Sequence, residues 1–260
     1  MKTIILAGGK GTRISEEGNL RPKPMVDIGG FPIIWHIMKY YSQFDHNDFI
    51  ICSGYNGYFI KEYFVQYYLH ASDITLDYSK NNEMVIHNNV AEPWRVTIVN
   101  TGIDAQTGCR IKRIEKYIEN DEPFFITYGD GLSNIDLNKL TEQHNQSDNV
   151  VTVSVVKPAG RFGVIEIDSS GNNAMFFREK SSTDSDWINA GFMIANKAIF
   201  DYLKDDENCI LERAPLQKIC EEKNLGTYRH LGFWQCMDTQ RDRVFLEKMW
   251  QSNKAEWKIW

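Results

Sequence analysis

Four short stretches hold the side chains able to do chemistry: "LAGGKGTR" at residues 6–13, "RPKPM" at 21–25, "YGDG" at 128–131 and "MDT" at 237–239. In the first, the apolar run Thr3 to Ala7 stops against Gly8, Gly9 and Gly11, with Arg13 just beyond. Glycine lacks a Cβ and tolerates positive φ, so the amides of such a turn can face a ligand that side chains would block. A guanidinium beside them suits phosphate. In the second, Pro22 and Pro24 flank Lys23 and predict an extended backbone that aims one long cation at a fixed point. A phosphate ligand and an ordinary solvated lysine are both open readings of Lys23. In the third, an apolar strand delivers Asp130 between Gly129 and Gly131. The plain reading is a turn aspartate. The chemical one is a cation site, because a carboxylate beside a polyphosphate repels it unless a divalent ion lies between, and magnesium favours that mixture of oxygens. In the fourth, Asp238 either joins Asp130 on such an ion or caps the helix that follows.

Elements of regular structure must bring these stretches together. "TIILA", "DFIICSG" and "PFFITYGDG" read as buried strands, and "FPIIWHIMKYYSQF" and "GYFIKEYFVQYYLHAS" as helices with an apolar face. Between them "DITLDYS", "EMVIHNN" and "RVTIVNTG" read as consecutive strands, with a turn at Asn81-Asn82, a departure from strict βα alternation. "GCRIKRIEKYI" and "LNKLTEQHNQS" predict helices, "VVTVSVV", "FGVIEID", "NNAMFFREK" and "WINAGFMIAN" strands, and a final helix spans about 238–250. The expectation is one α/β domain over residues 1–260, with a mixed sheet and a β-rich insertion. Ligands of such sheets gather at the carboxyl ends of the strands, where the glycine turn and Asp130 would share an edge.

Composition excludes several classes. With 29 Lys plus Arg against 35 Asp plus Glu, the net charge of −6 argues against an extended nucleic-acid surface. No apolar run reaches the roughly 18 residues of a membrane span, and the amino end starts a strand at once, so a cytoplasmic protein is expected. Cys52, Cys109, Cys209, Cys220 and Cys236 are scattered without CxxC spacing and read as reduced thiols in or near the core. His36 has no second ligand at metal spacing and reads as a structural histidine, and Phe59, Tyr63 and Tyr67, four apart, as one core-facing or subunit-facing helix stripe. A dinucleotide dehydrogenase is disfavoured, since the turn lacks the third glycine of GxGxxG and no acidic residue follows the second strand as that fold requires.

"LAGGKGTR", "RPKPMVDIGGFPIIWHIM", "TGCRIKR", "YGDG", "GRFGVIEID", "REK", "NAGF" and "GFWQCMDTQRD" follow one another in the order and spacing of the sugar-1-phosphate nucleotidylyltransferases. The chain resembles that family nearly end to end. Within it, "DFIICSGYNGYFIKEYF", "EPWRVTIVNTG" and the "AEWKIW" tail resemble the branch that transfers cytidylyl groups. The resemblance implies a Rossmann-like mixed sheet of the nucleotide-diphospho-sugar transferase type. It implies a reaction of CTP with α-D-glucose 1-phosphate, giving CDP-glucose and pyrophosphate with Mg²⁺. By matching motifs, Leu6, Ala7, Gly8, Gly9, Lys10, Gly11, Thr12 and Arg13 would wrap the nucleotide, joined by Thr107, Gly108, Arg110 and Gly129. Arg13 would neutralise the pyrophosphate and Lys23 the phosphate near the reacting phosphorus. Glu179, Lys180, Asn189 and Gly191 would hold the sugar phosphate, and Asp130 and Asp238 the metal. A homo-oligomer, hexameric in close relatives, is implied as well. Two residues depart from the pattern: Ala190 where glycine is expected, which would crowd the hexose, and Cys236 where proline is common. A relative working on dTTP or UTP would share the glycine turn, but the thymidylyl group typically carries a longer proline-containing segment before its lysine, and a non-catalytic nucleotide sensor would be expected to lose Lys23, Asp130 or Asp238.

Overall fold

The computed structural model describes residues 1–11, 21–118, 123–157, 163–167, 174–179 and 187–260, with the backbone alone for 163–167 and 174–179. The first strand, β1 (Lys2–Ala7), is followed by a 3-10 turn at Lys23–Met25, then β2 (Asp27–Ile28), β3 (Phe31–Pro32) and α1 (Ile33–Ser42). Next come β4 (Asp48–Ser53), α2 (Gly57–His70), β5 (Asp73–Asp77), β6 (Glu83–His87), β7 (Arg95–Asn100) and α3 (Thr107–Arg113). The middle of the chain forms β8 (Phe124–Tyr128), β9 (Gly131–Ser133), α4 (Leu137–Asn145), β10 (Val151–Val156), β11 (Gly163–Ile167), β12 (Ala174–Glu179) and β13 (Ile188–Ala195). The last part adds α5 (Ala214–Glu221), β14 (Leu225–Arg229), β15 (Trp234–Cys236) and α6 (Gln240–Gln251).

Seven strands form one mixed sheet in the order β14-β10-β13-β8-β1-β4-β7. Every neighbouring pair is parallel except those involving β13, which runs against both β8 and β10. The carboxyl ends of β1, β4, β7 and β8 therefore lie on one edge, with the start of β13 beside them. Side chains along a strand alternate between faces. Accordingly Ile5, Ala7, Phe49, Ile51 and Phe125 pack in one cluster with α1 and α4, while Ile4, Leu6, Ile50, Cys52 and Ile126 pack in a second with Ile111 of α3 and Ile219 of α5. Strands buried on both faces read as continuous apolar runs, as "TIILA" and "DFIICS" do. The β-rich insertion comprises the hairpin β5–β6 and the separate pair β11–β12. Among the described residues no helix is long and apolar enough to cross a membrane.

His36 is the structural histidine expected. It is fully buried in α1; its Nε2–H donates to the carbonyl of Ile28 at 2.8 Å, and its Nδ1 accepts from Trp257 Nε1 at 3.3 Å. Burial pushes its pKa down to about 4. The unfolded chain takes up a proton near pH 6.5 and the folded one resists until about pH 4, so stability falls as pH drops through that window. The shift corresponds to roughly 3 kcal/mol. We expect His36→Gln to cost stability at pH 7.5, because the ring packs against Trp250 at 4.8 Å, and the deficit to narrow by pH 5. Urea denaturation at the two pH values reads this directly, and a deficit that does not change with pH would remove the protonation argument.

The aromatic stripe of α2 also faces inward: Phe59 and Tyr63 pack on the core, and Tyr67 accepts from Trp35 Nε1 at 2.8 Å, donates to Glu92 and stacks on Trp94.

Candidate active site

At the shared edge lies a cavity of about 580 Å³ between the glycine turn after β1, the loop 103–107 after β7 and the Gly129–Asp130 turn after β8. Its floor is the turn itself. Gly11 adopts φ +60, and a Cβ built on Gly8 would lie 2.1 Å from Arg110 Nη1, so these two positions require glycine, whereas Gly9 faces open space. The Gly129 amide donates to the Leu6 carbonyl at 3.0 Å, which seats the turn after β8 on the end of β1. Lys10 and Asp104, both exposed, form an ion pair at 2.7 Å that joins the glycine turn to the loop after β7.

Lys23 enters from the 3-10 turn. The extended form expected for it belongs to Pro22 (φ −66, ψ 147), while Lys23 itself begins a turn closed by the Met25 amide on the Pro22 carbonyl at 2.8 Å. The turn tolerates Pro24 because an early helical position needs no amide donor. The Lys23 side chain is 14% exposed, and its Nζ donates to Asp130 Oδ2 at 2.5 Å and to Asp238 Oδ1 at 2.7 Å. Burial opposes its charge, but the two carboxylates outweigh that and hold its pKa above the usual lysine value. The carboxylates meet because β9 pairs with β15, Gly131 opposite Cys236, and the Met237 amide donates to the Asp130 carbonyl at 2.8 Å. Asp238 does not cap the final helix. Thr239 does, in a capping box with Asp242, which leaves the Asp238 carboxylate turned to Lys23.

Two carboxylate oxygens converging on one ammonium define a cation position with hard oxygen donors. Among the described residues no cluster of three metal-binding side chains exists, so a metal here would take its other ligands from phosphates and water, a pattern that suits magnesium. Cys236 adds a weak donor: its Sγ lies 3.4 Å from Asp238 Oδ2, and burial, then Asp238 and Asp130, push the thiol up to about 12, so it stays protonated.

The model of the family described as "Nucleotidyl transferase" matches residues 2–236. This chain belongs to that family. Over its full length the nucleotidyl transferase is 45% identical to the whole of a glucose-1-phosphate cytidylyltransferase of Salmonella typhi. It is 41% identical, again over both full lengths, to a probable glucose-1-phosphate cytidylyltransferase of Bacillus subtilis. A solved UDP-glucose pyrophosphorylase complexed with UDP-glucose shares the fold, with TM-score 0.69 at 18% identity, covering 97% of this chain and 98% of that one.

Not every expected site residue of this nucleotidyl transferase faces the cavity as a ligand would. Leu6, Ala7, Gly8, Gly9, Lys10, Gly11, Lys23, Thr107, Arg110, Gly129 and Asp130 all line it. Arg110, however, is buried, and its guanidinium donates to the carbonyls of Gly8 at 2.9 Å and Gly102 at 2.7 Å and to Thr101 Oγ1 at 2.8 Å. It therefore braces the loops around the cavity through their backbone carbonyls. Gly108 serves packing, since a Cβ there would lie 2.7 Å from Cys209 Sγ. Asn189 and Gly191 stand at the start of β13, the Gly191 amide donating to Asn189 Oδ1 at 2.8 Å. Glu179 ends β12 opposite Gly163; Thr12, Arg13 and Lys180 lie outside the described residues. Ala190 is buried in the core cluster that also holds Phe192. Sequence reasoning passed over Ile103, Asp104, Ala105, Gln106 and Tyr128, which also line the cavity. The carboxyl-edge rule applied to "RVTIVNTG" would have found the first four.

Proposed function

We propose that this nucleotidyl transferase moves the cytidylyl group of CTP to α-D-glucose 1-phosphate, releasing pyrophosphate and CDP-glucose. Full-length identity of 45% to a glucose-1-phosphate cytidylyltransferase supports the substrates. The observation that carries the chemistry is Lys23 held between Asp130 and Asp238 at the mouth of a glycine-lined cavity.

In the reaction, a phosphate oxygen of the sugar phosphate bonds to the α-phosphorus of CTP while the bond from that phosphorus to the pyrophosphate oxygen breaks. Two anions must meet, so the protein's task is alignment and neutralisation of charge, with no covalent nucleophile. The glycine-turn amides offer donors to the nucleotide phosphates, and Lys23 offers a partly buried cation whose raised pKa keeps it charged at working pH. Asp130 and Asp238 would hold Mg²⁺, which neutralises phosphate oxygens when bound. By family resemblance Arg13 is assigned to neutralising the leaving pyrophosphate, and Glu179, Lys180, Asn189 and Gly191 to binding the sugar phosphate. A homo-oligomer, hexameric by the same resemblance, is supported by apolar residues left exposed on β5–β6, among them Leu76 and Met84.

Pyrophosphate release with Mg²⁺, comparing CTP, UTP, dTTP, ATP and GTP and then several sugar phosphates, tests the proposal. Highest kcat/KM with CTP and glucose 1-phosphate is expected. A different best pair would replace the substrates, and no release with any pair would overturn the activity.

A further inference from the structure

Glu212 belongs to no stretch that suggested chemistry, yet it touches two that did. It stands just before α5, exposed, on a segment that meets the cavity from outside. One carboxylate oxygen accepts from Thr107 Oγ1 at 2.6 Å, and the other accepts from the hydroxyl of Tyr128. Thr107 opens α3 on the nucleotide side of the cavity, and its own Oγ1 accepts from the Leu211 amide at 2.9 Å. Tyr128 ends β8 two residues before Asp130. Its ring fills the space beside Gly191, where a Cβ would lie 2.3 Å from Cδ2. Gly191 has φ +81, so the backbone there is already committed to a form few other residues adopt.

We infer that Glu212 is a positioning residue that locks the nucleotide wall of the cavity to its sugar-phosphate wall, acting through Thr107 on one side and through Tyr128, packed against Gly191, on the other. Two features favour this reading over a purely structural one. The carboxylate is exposed, so the core does not need it. It divides its two oxygens between the two walls, whereas a surface glutamate ordinarily keeps both in water. Hydrogen bonds to a charged acceptor are the stronger kind. The inference rests on the nucleotidyl-transfer reading above, and it concerns geometry common to any base or hexose.

The test compares Glu212→Ala, Glu212→Gln, Tyr128→Phe and the Glu212→Ala/Tyr128→Phe pair on the best substrate pair of the nucleotide and sugar panel. Glu212→Ala should lower kcat/KM by roughly tenfold, the loss of one charge-assisted hydrogen-bond link. The loss should be divided between a lower kcat and a higher KM for the sugar phosphate. Glu212→Gln, which keeps an acceptor for Tyr128, should recover most of it. The paired substitution should be little worse than either single one, because both break the same chain of bonds. Calorimetric titration of CTP in the presence of Mg²⁺ gives a second readout that needs no turnover, and affinity should drop in Glu212→Ala through Thr107. Unchanged kcat, KM and CTP affinity in Glu212→Ala, or a lowered Tm with those constants intact, would overturn the inference. Multiplicative losses in the paired variant would overturn the shared chain. A wild-type protein inactive with every pair counts against nucleotidyl transfer and leaves the titration to judge Glu212.

Discussion

Lys23→Met should reduce kcat/KM by on the order of 10³-fold while leaving the free protein's affinity for a divalent cation intact or higher. The two halves of this prediction come from one geometry. Lys23 Nζ contacts Asp130 at 2.5 Å and Asp238 at 2.7 Å, so the ammonium and a metal ion compete for the same two oxygens. Methionine keeps much of the unbranched side chain that fits between the prolines but removes the charge. During transfer that charge has no replacement near the reacting phosphates among the cavity-lining side chains described, since Arg110 is committed to backbone carbonyls and Lys10 is paired with Asp104. In the absence of substrate, however, the paired carboxylates lose their compensating cation and repel each other, which favours binding of another. Steady-state kinetics and Mn²⁺ titration followed by electron paramagnetic resonance read the two effects separately. If metal affinity vanishes together with turnover, Lys23 builds the cation position and does not compete for it. If turnover survives, Lys23 is not the phosphate-facing cation.

The parts of this fold legible from the chain are those with local causes. The runs that became β1, β4 and β8 are buried on both faces, and so are apolar along most of their length, while α1 and α4 display their apolar stripe at helical spacing. The elements passed over include α5 and β14. The latter is a half-exposed edge strand with Gly226 inside it, and its place is set by pairing with β10 some seventy residues earlier in the chain. The candidate site divides along the same line. The types and turns at Gly8, Lys23 and Asp130 announced anion and cation binding, but the meeting of Asp130 with Asp238 depends on the β9–β15 ladder, which no spacing reveals. Arg110 shows the converse: its residue type suits phosphate, and only its burial beneath the glycine turn assigns it to the backbone.

Asp238→Asn and Asp130→Asn should each lower turnover by roughly 10²-fold or more at ordinary magnesium, and each should weaken divalent-cation binding, opposite in sign to Lys23→Met. The amide keeps the size of the carboxylate and one acceptor oxygen, so the β9–β15 ladder and the capping box of Thr239 with Asp242 stay in place. What is lost is one of two negative charges on a position that has just two carboxylates among the described residues. The remaining ligands must come from the substrates and water, so the loss should fall partly on the metal concentration needed for half-maximal rate. Raising magnesium should therefore recover part of the rate in either variant. It should recover less in Lys23→Met, whose deficit is a missing positive charge on the protein. Asp238 carries a further constraint, because the Cys236 thiol donates to its Oδ2 at 3.4 Å. Cys236→Pro, which places there the residue that the family resemblance leads one to expect, removes that donor and should shift the metal dependence only slightly. A rate in Asp130→Asn near that of the unsubstituted protein would take the metal away from Asp130, and the same result in Asp238→Asn would return Asp238 to the role of a turn residue whose contact with Lys23 is structural.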